Sequence, residues 1–255
     1  MASVVDIIDN VIDTDEYEIL DQYYVKNTNT GMMNIVGPES KGINDYFIKY
    51  QAINKEMFTS LLVVSVEESE FILANIYGKY SGEWKLNILN FGQYKMYGET
   101  APEIYISARE KYKDGSLINA LLEMMLCSAL ANPVGKYWEY KNDKEMKDFF
   151  EQITNELDSQ FSFPLTITSV FTKPQILSIV NQPIDEGIFT LVNYQTSIDL
   201  KDTVNTRIEN NKIHSEIENI FPGINDKKYT FYRAWNKIPS EQNPQNSYGF
   251  VKENW

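Results

Sequence analysis

The residues best equipped for chemistry are scarce in this sequence. It holds one cysteine, Cys127, and one histidine, His214. Structural zinc sites are built mainly from several Cys and His ligands, so this pair cannot supply one. A disulfide within the chain is excluded for the same reason. A Ser-His-Asp triad would have to use His214, which lies between Ile213 and Ser215 in a stretch with helical periodicity. No Gly-x-Ser-x-Gly elbow presents a nucleophilic serine. Cys127 follows Met124, Met125 and Leu126 on an apolar helix face. There it reads as a small packing residue, because nucleophilic use requires exposure and a lowered pKa. Neither the dinucleotide-binding glycine pattern nor the P-loop pattern occurs. Asp13-Thr14-Asp15 begins like a calcium loop, but the loop glycine and terminal glutamate are missing. Carboxylate pairs such as Asp185-Glu186 and Glu216/Glu218 are expected by chance among 36 acids. The sequence thus yields no candidate catalytic, metal or cofactor-binding residue, and no cofactor is expected.

What remains is aromatic. Tyr77, Tyr80, Trp84, Tyr94 and Tyr97 form one group, and Tyr229, Phe231, Tyr232, Arg233 and Trp235 another. Tyr and Trp join a large apolar body to a polar tip, and Arg accompanies them at interfaces and in ligand pockets. Tyr77, Tyr80, Trp84, Tyr94, Tyr97, Tyr232, Arg233 and Trp235 are therefore the candidate ligand or partner contacts. The competing reading is that alternate members are core. The 17 Tyr and 13 Phe also fit a composition supplied by AT-rich codons.

These groups need elements to position them. Val4, Val5, Ile8, Val11 and Ile12 recur at helical spacing and predict a helix over 3–12. Asp13 and Glu16 have capping-box spacing before a second short helix carrying Tyr17, Leu20, Tyr23 and Tyr24. Residues 43–53 fit a strand or a short helix. Three β-rich runs, Phe58–Val66, Phe71–Tyr80 and Trp84–Tyr97, are separated by short turns and predict an antiparallel meander. The alternation slips near Gly92, as at a β-bulge. Ala101-Pro102 opens a helix that Gly115 ends, and Leu117 to Asn132-Pro133 is a second. A charged amphipathic helix follows from Asp143 to Leu157. Then come β-rich runs at 165–171, 175–181 and 187–195, and a helix capped by Asp199 or Asp202. That helix should bury Val204, Ile208, Ile217 and Ile220. Strands at 229–235 and 248–251 flank a polar loop.

The acidic entry Asp15-Glu16-Tyr17, followed by long strands ending in Gly82-Glu83-Trp84-Lys85-Leu86, resembles the NTF2-like (SnoaL-like) superfamily over residues 3–97. The resemblance implies a bent sheet wrapped around helices to form a cone-shaped cavity. Enzymatic members use an Asp/His or Tyr/Asp set in that cavity, and His214 lies outside the matched stretch. Gly115, Leu117, Ala120 and Met124 with Pro133 are similar to half of a tetratricopeptide unit, which implies a helical hairpin with a partner surface.

The expected fold is α+β in two domains, each an antiparallel sheet covered by helices. An NTF2-like sheet-and-helix domain spans 1–135 with a hairpin at 101–132. A connecting helix spans 136–160, and a small β-β-β-α-β-β domain spans 161–255. The net charge of −13 opposes binding to nucleic acid and anionic membranes. Seven acids and no base occupy the first 21 residues, a surface suited to a basic partner if it is more than a solvated helix face. No run reaches the length of a membrane helix. The start MASVVDIIDN lacks a signal peptide's basic region, which favours a soluble cytoplasmic protein unless Met1-Ala2-Ser3 replaces an export signal. A non-enzymatic protein-interaction role is expected, with a small-molecule binder or enzyme using the N-terminal cavity as the alternative.

Overall fold

The computed structural model describes residues 16–239 and 245–255. The helix expected over 3–12, its neighbouring cap at Asp13 and most of the N-terminal acids lie outside the described residues. The fold is α+β, with extensive antiparallel sheets packed against helices. The chain divides into two compact units. Unit 1 comprises 1–106 and 125–148, and unit 2 comprises 107–124 and 149–255. This division differs from one at 135 and 161. The apolar residues Ile118, Leu122 and Leu157 belong to the same buried cluster as the C-terminal sheet, so parts of the hairpin and of the connecting helix count with unit 2.

Unit 1 contains a five-stranded sheet in the order β1 (Glu18–Lys26), β4 (Glu56–Val66), β5 (Ser69–Tyr80), β6 (Glu83–Met96), β7 (Glu99–Thr100). A second sheet pairs β2 (Met33–Val36), β3 (Tyr46–Gln51) and β8 (Trp138–Tyr140). The expected meander is β4-β5-β6. Its turns are two-residue turns with positive φ at Glu67, Ser81 and Gly82, a conformation that matches strand twist. The expected short helix over Tyr17–Tyr24 is a strand instead. Its residues alternate in exposure and pair antiparallel with β4, so tertiary pairing overrides the local periodicity. Residues 46–51 of the ambiguous stretch are also strand. The irregularity near Gly92 is real but displaced: Tyr94 and Asn87 are the residues skipped by the β5–β6 register. Gly92 itself answers a packing need. A Cβ there would stand 1.9 Å from the carbonyl oxygen of Pro133, so only glycine admits that approach.

Helix α1 (Ala101–Lys113) starts with the glutamate half of a capping box. The Thr100 N–H donates to Glu103 Oε2 at 2.8 Å, and its hydroxyl donates to Asn44 Oδ1 at 2.6 Å. Helix α2 (Leu117–Leu130) follows after Gly115, whose φ of +80° ends α1. The unit 1 interior is formed by Met57, Leu61, Ile72, Ile76, Ile48, Ile104, Cys127 and Leu130, all essentially inaccessible. Each buried aliphatic side chain contributes about 1.5–3 kcal/mol.

Unit 2 contains a second five-stranded sheet, ordered β13 (Ser247–Glu253), β12 (Tyr229–Trp235), β11 (Gly187–Gln195), β10 (Gln175–Ile184), β9 (Leu165–Thr166). The expectation of an all-antiparallel sheet is corrected at one pair: β11 and β12 run parallel. A parallel pair needs a crossover, and α4 (Thr203–Ile220) supplies it. Asp202 caps α4, accepting from the Asn205 N–H at 3.1 Å. Helix α3 (Asp143–Gln160) runs through the boundary between the units. Among the described residues no helix is long and apolar enough to cross a membrane.

Candidate functional site

The two faces of the unit 1 sheet differ. On the inner face Met57, Thr59 and Leu61 of β4 and Ile72, Ala74 and Ile76 of β5 are sealed. On the outer face two apolar rows cross four strands. One row is Tyr24, Phe58, Tyr77 and Leu86, each opposite the next. The other is Ile19, Leu62, Leu73 and Phe91. Between them runs a more polar row of Gln22, Ser60, Asn75 and Leu89. Trp84 stands beside the first row, 5.9 Å from the Phe58 ring and 6.2 Å from Tyr24, with the Lys79 ammonium 5.6 Å from its centroid. Exposure is high for side chains of this kind: Tyr24 55%, Ile19 55%, Leu86 47%, Trp84 42%. Lys79 pairs with Glu56 at 3.3 Å, and Glu56 also accepts from the Tyr24 hydroxyl at 2.8 Å. Those donors hold Glu56 below the usual carboxylate range, Tyr24 first and Lys79 second.

The first aromatic group is therefore not one site. Tyr77 and Trp84 share the outer face. Tyr80 exchanges hydrogen bonds with Asn87 near the end of β5, at 3.1–3.3 Å. Tyr94 is buried, edge-on to Trp138 at 5.9 Å. Tyr97 occupies the β6–β7 turn with positive φ. The second group also divides. Tyr232 is buried and bonded to Nδ1 of His214 at 2.9 Å. Arg233 and Trp235 alternate with it and face the other side of β12, where the Trp235 indole N–H donates to Asn193 at 3.3 Å. Alternation in a strand sends neighbours to opposite faces, which is why sequence adjacency misleads here. Tyr24, Phe58 and Leu86 are outer-face residues that the sequence reading missed. Pairing of Phe58 with Tyr77 could have been found by counting back from the Glu67-Glu68 turn.

Behind the sheet, the Tyr46 hydroxyl donates to Asp21, Tyr23 lies 3.2 Å from the Tyr46 oxygen, and Tyr46 stacks on Trp138 at 4.0 Å. Burial pushes Tyr23 up to about 12 and raises Tyr46 further, with Asp21 as the second cause for Tyr46. Both phenols stay protonated at neutral pH. They form a chain of donors ending on a carboxylate, not an acid–base pair poised near neutrality. Cys127 is buried, 3.7 Å from the Met146 sulfur, and burial pushes its thiol up to about 12. This is the chemistry of a packing residue.

Among the described residues, two clefts open to solvent are notable. One, in unit 1, has a volume of about 730 Å³ and is lined by Met33, Tyr50, Ile53, Ile88, Lys49 and Lys136 among others. The other, in unit 2, has about 460 Å³ and lies along the first turns of α4, with Glu209 among its lining residues. Among the described residues no group of His, Cys, Asp and Glu side chains is arranged to hold a metal ion. Comparison of the chain with protein-family models, with curated proteins and with solved structures returns no match.

Proposed function

We propose that the protein acts by binding another macromolecule, without catalysis, and that the outer face of the unit 1 sheet is where a protein partner docks. The observation that carries this reading is the pair of apolar rows crossing four strands with Trp84 beside them, about half exposed at Tyr24 and Ile19 of β1 and at Leu86 and Trp84 of β6. Antiparallel sheets open to water on one face ordinarily alternate apolar-in with polar-out. Here the water-facing side is aromatic and aliphatic, the composition of an interface core. Its rim carries charges of both signs at Glu56, Lys79 and Lys26, and the chain is strongly acidic as a whole, which favours a partner with basic character around an apolar centre.

The test is affinity capture from the source cells together with sedimentation, comparing the wild type with a Tyr24→Ser/Leu86→Ser variant. Both side chains are about half exposed, so the variant should keep its far-UV CD spectrum. The wild type should self-associate or retain a partner that the variant loses. A monomeric wild type that retains nothing beyond what the variant retains would refute the proposal.

A second reading has its own support. The unit 1 cleft falls within the volume range of small-molecule sites, and a pocket beside a bent sheet is what the NTF2-like resemblance implies. If a small apolar compound binds and Ile53→Asp abolishes that binding while partner retention is unchanged, the cleft carries a function of its own.

A further inference from the structure

The unit 1 cleft opens where the end of β3 brings two kinds of side chain together. Lys49 and Gln51 alternate on β3 and so share its outer face, and Met33 of β2 stands opposite Gln51 on that face. Tyr50 points the other way. It is 2% exposed, and its hydroxyl accepts from Thr59 at 3.2 Å, so it closes the cleft without offering a free polar group. Ile88 also belongs to the inner side, because it pairs with the sealed Ile76. The short 3-10 turn Gly135–Tyr137 adds Lys136 and Tyr137 to the lining.

The charge of this cleft runs against that of the chain. Acids outnumber bases 36 to 23 overall, yet among the described residues two lysines and no aspartate or glutamate line it. Lys49 gives one N–H to Glu139 at 2.5 Å, with the two side chains 33% and 46% exposed. An ion pair this open to water is weak, and an ammonium has three donors, so Lys49 keeps capacity for a second acceptor. The Lys136 ammonium stands 5.3 Å from the centroid of the Tyr137 ring. Beside these cations the wall is aliphatic and uncovered: Met33 is 58% exposed and Ile53 48%.

We propose that this cleft binds a small amphipathic anion, a carboxylate on a hydrocarbon chain, with its head at the ammonium groups of Lys49 and Lys136 and its tail over Met33, Ile53 and Ile88. The proposal rests on the reading of the cleft as a small-molecule site and names what that site takes. A carboxylate accepts several charge-assisted N–H bonds, whereas a neutral head leaves the ammonium charge unanswered and a cationic head is repelled. Met33 and the two isoleucines present no polar atom that a tail would leave unpaired, and the flexible thioether adapts to its shape. Ile88 faces the inner side of β6 and Leu86 the outer, so the site does not use the face proposed for docking.

The test is calorimetric titration of the full chain with octanoate, octan-1-ol and octylammonium, with amide NMR to locate the site. Octanoate should saturate at one per chain and shift the amides of β3 and of Gly135–Tyr137. It should bind about ten-fold or more tightly than octanol, the margin of a charge-assisted bond over a neutral one, and octylammonium more weakly than octanol. Lys49→Gln and Lys136→Gln change side chains open to solvent and should keep the far-UV CD spectrum. Each should weaken octanoate several-fold, and together they should bring it to the affinity of octanol, which stays unchanged. Should Lys49→Gln fail to fold, Lys136→Gln decides. Lys85→Gln removes an exposed charge outside the cleft and should alter nothing. A loss there as large as at Lys136, or full octanoate affinity in the double variant, would overturn the proposal. Equal binding of octanoate and octanol, both lost in Ile53→Asp, would overturn the anion and leave the small-molecule reading standing. Binding of none of the three would overturn both.

Discussion

Replacing Glu209 by methionine should make unit 2 more stable. The carboxylate is 3% exposed and one of its oxygens has no hydrogen-bond partner. Leaving such a group unmatched costs about 1–3 kcal/mol, at the upper end for a charged acceptor. Methionine has a similar length, no polar atom to satisfy, and enough flexibility to lie along the floor of an open cleft. The substitution removes the acceptor of the Thr172 hydroxyl. Thr172 is half-exposed, so water takes over that role at a loss of roughly 0.5 kcal/mol, within the range of surface changes. The net expectation is a gain of about 1–2 kcal/mol, or a melting temperature higher by about 3–6 °C at this chain length. Global melting mixes both units, so the sharper assay is native-state hydrogen exchange at β11 and β12 amides, which reports unit 2 directly. Those amides should be protected more strongly by the same amount. A loss of 1 kcal/mol or more in Glu209→Met would refute the reasoning, since it would mean that the carboxylate already has its full complement of favourable contacts.

Two further outcomes follow from geometry alone. Gly92→Ala places a methyl 1.9 Å from the Pro133 carbonyl oxygen, where ordinary contact begins at 3.4 Å, so the backbone on one side must move. It should cost about 3 kcal/mol in urea unfolding, whereas Gly82→Ala, in open space at φ +93°, should cost about 1 kcal/mol; equal losses would contradict the close approach. His214, the sole histidine, is held below its ordinary value of 6.5 by burial and then by Lys252, so its imidazole NMR titration should have a midpoint under 6.5. Because the folded value is depressed, its contribution is complete above pH 6.5 and is lost as pH falls from there through the folded value. His214→Gln should remove that slope, and an unshifted midpoint would show that the packing against Tyr232 leaves the ring fully hydrated.

Much of the element order was legible in the residues, because it rests on local signals. The meander at 58–97 follows from apolar runs bounded by two-residue turns. The hairpin of α1 and α2 follows from Pro102, Gly115 and Pro133, and the start of α4 follows from Asp202. The failures share a cause, which is that partners distant in sequence decide them. Tyr17 to Tyr24 has helical spacing, but pairing with β4 makes it a strand. The parallel register of β11 with β12 is set by how α4 returns the chain, and no local pattern records it. The aromatic groups were found by proximity in sequence, while a strand divides neighbours between faces. So Trp84 and Tyr77 stand at the surface, and Tyr94 and Tyr232 are core. Glu209 could have been found only by asking what the stripe of α4 would leave exposed. Asn210 and Asn211, which follow Ile208 where the apolar stripe should continue, are the visible sign in the residues that this helix does not bury a simple apolar face.

The two units differ in which side chains they leave uncovered or unmatched. The unit 1 sheet leaves apolar area uncovered at Tyr24, Trp84 and Leu86, which water penalises by about 25 cal/mol per Å². Unit 2 leaves a carboxylate unmatched at Glu209. The first deficit is relieved by a large apolar surface and is indifferent to a small cation. The second is relieved by a single N–H donor and is indifferent to added apolar area. The one cysteine, the one histidine and Tyr46, by contrast, are engaged inside the structure. Cys127 packs on Met146, His214 on Tyr232, and Tyr46 on Asp21. The two shortfalls differ in place as well as in kind: the apolar one lies on an exposed sheet face, and the carboxylate is buried. Leu86→Ser should weaken macromolecular association and leave the stability of unit 2 unchanged, whereas Glu209→Met should raise the stability of unit 2 and leave association unchanged.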